Sequence, residues 1–228
     1  MTLHVSNLAT DRSAETQTPL AVSGLSRSAY AQFFKRLMDF TLVLLSTPVV
    51  LPLIVLLALA IALTGNMPFY SQLRVGRDGK AFRMWKLRTM VRDADARLEA
   101  YLAQNPEARA EWDATQKLKN DPRITPFGRM LRKTSMDELP QLFNVLNGTM
   151  ALVGPRPMMV GQEKYYSGRA YYDLRPGITG TWQVSDRNNC TFQERAAHDE
   201  LYGRDVSLTG DLALLFRTIS VVCRATGH

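Results

Sequence analysis

The sequence predicts an α+β protein, mostly helical with short β-strands, arranged around one long apolar segment. Three observations carry this reading. Phe40 to Leu63 is almost wholly apolar, and spanning a bilayer takes about 20 such residues. Pro68–Arg74 and Lys80–Arg88 read as strands on either side of Gly76-Arg-Asp-Gly79, which is turn chemistry. Most of the remaining chain has helical periodicity or helix-capping residues.

The chain has 228 residues and a net charge of +7, with 28 Lys and Arg against 21 Asp and Glu. That suits one domain with appendages, and an anionic partner: nucleic acid, a membrane surface or a phosphorylated substrate. Cys190 and Cys223 lie far apart without His or Cys at ligand spacing. This argues against a zinc site or a disulfide scaffold.

In order, residues 1–29 are Ser-, Thr- and Ala-rich and are expected not to fold. They lack the basic start and apolar core of a signal peptide. Tyr30 to Met38 reads as an amphipathic approach to the membrane, with Phe33, Phe34 and Leu37 against Lys35 and Arg36. The apolar run follows, completing a membrane segment over 30–66. Ser46-Thr-Pro48 and Pro52 interrupt it. Both flanks are basic, which places both on the cytoplasmic side. A spanning helix and a helix bent at Ser46–Pro48 both fit these residues. In the bent form the Ser46 and Thr47 hydroxyls would bond the carbonyls that Pro48 leaves free.

Residues 67–228 form the cytoplasmic-face domain. In the second strand, period two puts Lys86 and Arg88 on one face, either as a solvated edge or as a phosphate-binding surface. Arg92 to Lys119 reads as one or two surface helices broken at Asn105-Pro106. Thr125 caps a short helix with Pro126 at its first position. That helix leads into Arg129-Met-Leu-Arg-Lys-Thr-Ser-Met-Asp-Glu-Leu-Pro-Gln-Leu-Phe-Asn144. Here Ser135 and Glu138 read as a capping box, with Asp137 in the first turn, where the helix dipole favours an anion. Met150–Val153 reads as a buried strand, and Gly154-Pro-Arg-Pro157 holds Arg156 on a stiff backbone. A Tyr-rich helix, a strand from Trp182 ending at Arg187, and an amphipathic helix over Ser207–Cys223 complete the chain.

No dinucleotide fingerprint, Walker A loop, zincin or nucleophile-elbow motif is present. What remains is one acidic pair, Asp137-Glu138, and an array of cations on rigid turns: Arg132, Arg156, Arg187, Arg175 and Lys86. A carboxylate can form an acyl phosphate, cations stabilise the transferring oxygens, and a second carboxylate can hold Mg²⁺. A nucleic-acid-binding protein would want a continuous basic face without carboxylates. A membrane-tethered binding protein without catalysis is the other alternative.

Several motifs, in one order, resemble the bacterial sugar transferases, the monotopic polyprenyl-phosphate phosphoglycosyl transferases. They are Lys86-Leu-Arg-Thr-Met90, Arg132-Lys-Thr-Ser-Met-Asp-Glu-Leu-Pro-Gln141, Leu152-Val-Gly-Pro-Arg-Pro157, and Arg175-Pro-Gly-Ile-Thr-Gly180 with Gln183 and Arg187-Asn188. The likeness runs from about Lys35 to Thr226. Within the family, the chain is similar to the small enzymes that start exopolysaccharide repeat units, including undecaprenyl-phosphate galactose phosphotransferases. The insertion ending in Asp121-Pro-Arg-Ile-Thr125 resembles that branch too.

The resemblance implies a membrane enzyme with one re-entrant helix hairpin and interfacial amphipathic helices. Its catalytic domain would lie on the cytoplasmic face of the inner membrane. It would move a hexose-1-phosphate from a UDP-sugar to undecaprenyl phosphate, releasing UMP. Asp137 would be the nucleophile and Glu138 the Mg²⁺ ligand. Arg132, Arg156 and Arg187 would bind phosphate, with Lys86 a further cation. The family's Ser-Pro break falls on Thr47-Pro48, with Ser46 one position early. Partners would be membrane lipid and downstream glycosyltransferases, not nucleic acid. The donor sugar (galactose, glucose or an N-acetylhexosamine) and the oligomeric state, a homodimer among the options, are not legible.

Overall fold

A computed structural model of the chain describes residues 28–115, 118–185 and 192–223. The start expected not to fold lies outside these residues up to Arg27, as does Arg187. The described chain is mostly helical with four short strands, as expected for α+β. A turn of π-helix, Tyr30–Phe34, leads into α1, Lys35–Leu63. This helix is continuous through Pro48 and Pro52 rather than divided in two. Ser46 and Thr47 do bond back to the backbone, both to the Val43 carbonyl at 2.8 Å. That is one residue short of the Leu44 carbonyl, whose amide donor Pro48 removes. Hydroxyls reach carbonyls three and four residues back, and from Ser46 and Thr47 that geometry meets at Val43.

One side of α1 packs on the domain. Val43 joins Phe82, Met84, Val145 and Met150, and Leu57, Ala58 and Ile61 join Leu87 and Leu131. The other side leaves Leu44, Leu45, Val49, Val55, Leu56 and Leu59 exposed. The base of α1 is fixed by polar contacts. Asp211, fully buried, accepts hydrogen bonds from Lys35 Nζ (2.5 Å), Tyr30 (2.7 Å) and Tyr202 (2.7 Å). A carboxylate can sit there because every partner is supplied.

The hairpin forms as the turn chemistry predicts. β1, Phe69–Val75, pairs antiparallel with β2, Ala81–Leu87, in a register running from Phe69↔Leu87 to Val75↔Ala81. Asp78 and Gly79 take positive φ in the turn. A two-stranded hairpin is marginal alone, and here both edges are covered. Beyond β1, the Val75 amide donates to Met158 O at 3.0 Å and Arg74 bridges to Met159. Beyond β2, the buried Asn144 side chain stands in for a strand. Its Oδ1 accepts from the Trp85 amide and its Nδ2 donates to Arg83 O.

The insertion forms α2, Ala94–Gln104, and α3, Pro106–Thr115, broken where expected. Thr125 caps α4, Pro126–Lys133, accepting from the Gly128 amide at 2.9 Å. A short helix, α5 (Gln141–Leu146), follows. Its last carbonyls accept from the Arg36 guanidinium of α1, at Val145 O and, at 2.8 Å, at Leu146 O. A cation at a helix C-terminus satisfies orphan carbonyls and the dipole together.

β3, Ala151–Val153, runs parallel to β4, Gly177–Thr179. The backbones approach so closely that a Cβ on Gly177 would lie 2.1 Å from the Gly154 amide nitrogen. This contact brings the Gly154-Pro-Arg-Pro157 and Gly177-Ile-Thr-Gly180 segments together.

Two expectations are corrected. The Tyr-rich segment is not one helix but a 3₁₀ turn, Glu163–Tyr165, and α6, Ala170–Asp173. Tyr166, Tyr171 and Tyr172 converge edge-to-face, at 5.5 to 6.3 Å between rings. The segment from Trp182 opens not as a strand but as a helical turn, α7, Thr181–Val184. Before it, the Gly154 carbonyl stands 2.3 Å from where a Gly180 Cβ would be, so only glycine fits there, and Trp182 is buried just beyond. α8, Phe192–Arg204, and the amphipathic α9, Leu208–Cys223, close the described chain.

Replacing Asn144 with Leu should orphan two part-buried backbone groups of β2, the Trp85 amide and the Arg83 carbonyl. The expected cost is about 2–6 kcal/mol, at roughly 1–3 per group. A thermal or denaturant melt of the detergent-solubilised protein checks this, and an unchanged midpoint would refute the bridging role.

Candidate active site

The carboxylate pair lies between α4 and α5, in a 3₁₀ turn over Met136–Glu138. The capping box does not form. Ser135 adopts left-handed backbone (φ 56°) and its side chain caps nothing. Glu138 instead reaches Lys86 of β2, with Nζ to Oε1 at 2.7 Å. The same ammonium lies 3.7 Å from Asp137 Oδ2. The helix begins only after Pro140, which lacks an amide hydrogen and stands at the N-cap of α5. Asp137 is therefore held by side chains and not by a helix dipole.

Asp137 is 8% exposed. Burial raises its carboxyl above the usual range. Lys86 works against that, Glu138 adds to it and Arg132 opposes it. Lys86 is thus the main group keeping Asp137 ionised. It points inward because period two places it on the face of β2 that carries the buried Phe82 and Met84.

The predicted cations separate into groups. Lys86 and Arg156 line one cleft with Glu138, Gln141 and Gln183. Arg156 is exposed at its rim, 5.7 Å from the Trp182 ring. Arg132 is close enough to feel Asp137, but its Nε donates to Thr89 at 2.9 Å. Behind it, Arg123 makes a buried bidentate pair with Asp121 and lies over the Trp112 ring of α3. The insertion thus braces the Asp121–Arg123 loop that leads into α4, the helix that carries Arg132. Two predicted residues stand elsewhere. Arg88 donates to Met67 O and lies 5.9 Å from the Tyr70 ring. Arg175 donates to Gly148 O near the base of α1. The break residues Ser46, Thr47 and Pro48 lie inside α1.

Arg74 is a cleft residue that sequence reasoning missed. The signal was present: the hairpin register pairs Arg74 with Phe82 and Tyr70 with Lys86, so Arg74 shares the face of Lys86. A larger hollow between α2 and α3, about 240 Å³, gathers no comparable cluster of cations.

Among the described residues no three His, Cys, Asp or Glu side chains converge. The described residues therefore offer no closed metal cage. Two adjacent carboxylates at a cleft do fit Mg²⁺, which takes one or two carboxylates and completes its shell with water and substrate phosphate. Lys86 Nζ lies within 4 Å of both carboxylates, 2.7 Å from Glu138 Oε1 and 3.7 Å from Asp137 Oδ2.

Comparison with known proteins agrees with the motif order. The family profile described as bacterial sugar transferase matches residues 30–225. The chain is 44% identical over 210 residues to a UDP-galactose-lipid carrier transferase of Erwinia amylovora, covering 91% of this chain and 44% of that protein. It is 45% identical over 199 residues to an undecaprenyl-phosphate galactose phosphotransferase of Salmonella typhimurium, covering 86% and 42%. It is 45% identical over 165 residues to the exopolysaccharide production protein ExoY of Rhizobium meliloti, covering 72% and 73%. The chain thus spans less than half the length of the first two relatives.

Because burial raises the Asp137 carboxyl, the folded state disfavours its charge. The unfolded chain ionises first as pH rises, so the penalty is present above the ordinary Asp range and absent below it. Asp137→Asn should therefore raise the melting temperature at neutral pH. The gain should shrink as pH falls to about 4, near the unperturbed Asp value. Melts at both pH values test this, and a variant less stable than wild type at pH 7 would contradict it.

Proposed function

The chain belongs to the bacterial sugar transferase family, and on that premise we propose that it moves a hexose-1-phosphate from a UDP-hexose to undecaprenyl phosphate, releasing UMP. The observation that carries the reading is the buried Asp137 beside Lys86, at a cleft rimmed by Arg156, on a domain joined to an exposed apolar helix.

An Asp137 oxygen attacks the β-phosphorus, and the bond from that phosphorus to the bridging oxygen breaks. UMP leaves with the electron pair, and the hexose phosphate stays on Asp137 as an acyl phosphate. An oxygen of undecaprenyl phosphate then attacks the same phosphorus, frees Asp137 and forms the lipid diphosphate sugar. Lys86 holds Asp137 ionised before attack and offers its charge to the transferring oxygens. Arg156, on its proline-flanked turn, binds phosphate at the rim. Arg132 opposes the burial of Asp137 from behind, which is a positioning role. Glu138 would hold Mg²⁺, which when bound supplies charge neutralisation for the diphosphate. The product would be the first lipid-linked sugar of an exopolysaccharide or glycoconjugate, for glycosyltransferases to extend. Two relatives named for galactose favour a galactose donor.

We place the protein at the cytoplasmic face of the inner membrane, with α1 entering and leaving by that face. Its contact pattern supports this. Val43 near one end and Leu57 to Ile61 near the other pack on the same domain, and Arg92 donates to Gly65 O just past the end. Between the buried Val43 and Ile54 lie roughly ten residues, about half of the ~20 a span requires.

Incubated with undecaprenyl phosphate and Mg²⁺, the protein should release UMP from a UDP-hexose, UDP-galactose foremost in a donor panel. Asp137→Asn should lose at least about 10³-fold in rate, the scale set by removing a catalytic carboxylate. Normal UMP release by that variant would remove Asp137 from the nucleophile's place. For topology, single cysteines at Ser28 and Arg77, in a C190S/C223S background, should both resist an impermeant reagent added outside intact cells. Labelling at position 28 alone would mean a spanning helix.

A further inference from the structure

The hairpin register sets Arg74 and Lys86 on one face, with Arg74↔Phe82 two same-face pairings beyond Tyr70↔Lys86. At about 3.3 Å per residue, that separates their backbones by roughly 13 Å along the strand, and both side chains line the same cleft. Lys86 occupies the end with the carboxylates. At the other end, the Gly154–Met159 segment lies along β1 through the Val75–Met158 hydrogen bond, which brings Arg156 beside Arg74. Tyr171 fixes that junction, donating to Val75 O (2.6 Å) and accepting from the Met158 amide (3.0 Å).

Arg74 is poorly compensated for a half-buried guanidinium. It donates to Gln72 Oε1 (2.6 Å) and Pro157 O (3.3 Å), both neutral. Its Nε is buried without a hydrogen-bond partner. Among the described residues no carboxylate lies within 4 Å of it. Burial lowers its pKa and the Arg156 guanidinium lowers it further, while Tyr171, Tyr70 and, least of all, the Glu138 carboxylate at the other end of the cleft oppose this. A purely structural brace between Gln72 and Pro157 would be served as well by a neutral donor. A half-buried cation kept beside a second cation, with no carboxylate in contact, is stabilised by an anion brought from outside the chain.

Resting on the UDP-hexose reading above, we infer that Arg74, paired with Arg156, binds the donor's α-phosphate, the one that leaves as UMP. The β-phosphate lies at the Lys86 end, against Asp137, and the α-phosphate lies along the cleft at the guanidinium end. The leaving oxygen is then met by charge on the side opposite the nucleophile.

The experiment measures UMP binding to the full-length protein in nanodiscs by calorimetry, with uridine as competitor. Wild type, Arg74→Ala and Arg74→Lys are compared. Arg74→Ala should weaken UMP on the order of ten- to a hundredfold, the scale of lost hydrogen bonds to a charged group. Uridine affinity should not change, and Arg74→Lys should fall between, since it keeps the charge but loses the fork. If Arg74→Ala binds UMP like wild type, the inference is wrong while the donor reading stands. A loss of UMP and uridine affinity in equal proportion would make Arg74 a structural brace and also overturn it. Wild type that binds neither ligand would defeat the UDP-hexose reading itself.

Discussion

The contact between Lys86 and the Asp137-Glu138 pair is the constraint on which the rest of the site depends. Asp137 is buried enough that its charge is disfavoured, and an ammonium within 4 Å is what opposes that cost. The rest of the domain can be read as the means of delivering that ammonium. The hairpin aims Lys86 inward, Asn144 closes the hairpin's free edge, and Pro140 stops α5 from running back through the acidic turn. Burial and the Lys86 ammonium thus act on the Asp137 carboxyl in opposite directions.

The second constraint is the attachment of α1. An apolar helix with an uncovered face gains nothing from water, yet both its ends are tied to the domain. At the base, Asp211 gathers Lys35, Tyr30 and Tyr202, and Arg36 caps α5. Through α5, the membrane helix touches the element that follows the carboxylates. The apolar helix and the carboxylate turn are therefore held in a fixed relation by side-chain contacts.

Much of the local structure was legible in the sequence. The hairpin, the Thr125 cap, the break at Asn105-Pro106 and the amphipathic α9 each depend on residues close together in the chain. The failures share a cause. Ser135 and Glu138 have capping-box spacing, but Lys86, 52 residues away, draws Glu138 off. Trp182 has strand-like neighbours, but it lies in a helical turn just after Gly180 packs against the distant Gly154 carbonyl. Arg88 and Arg175 look like further phosphate ligands by type, whereas backbone carbonyls hold them elsewhere. Arg74 went unnoticed because its meaning depends on Arg156, and only the strand-like pairing of β1 with Met158 and Met159 brings the two together.

By itself the sequence determined the chemistry's ingredients: an acidic pair, arginines on proline- and glycine-stiffened turns, an apolar segment with basic flanks, and the order of motifs that marks the family. Those follow from residue type and short spacing, which a linear chain displays directly. Which cations face Asp137, which side of α1 meets the domain, and how the Gly154 and Gly177 segments close the cleft were decided by the tertiary structure. Each rests on backbone contacts between distant segments, and a steric approach of that kind leaves no periodicity for the sequence to show.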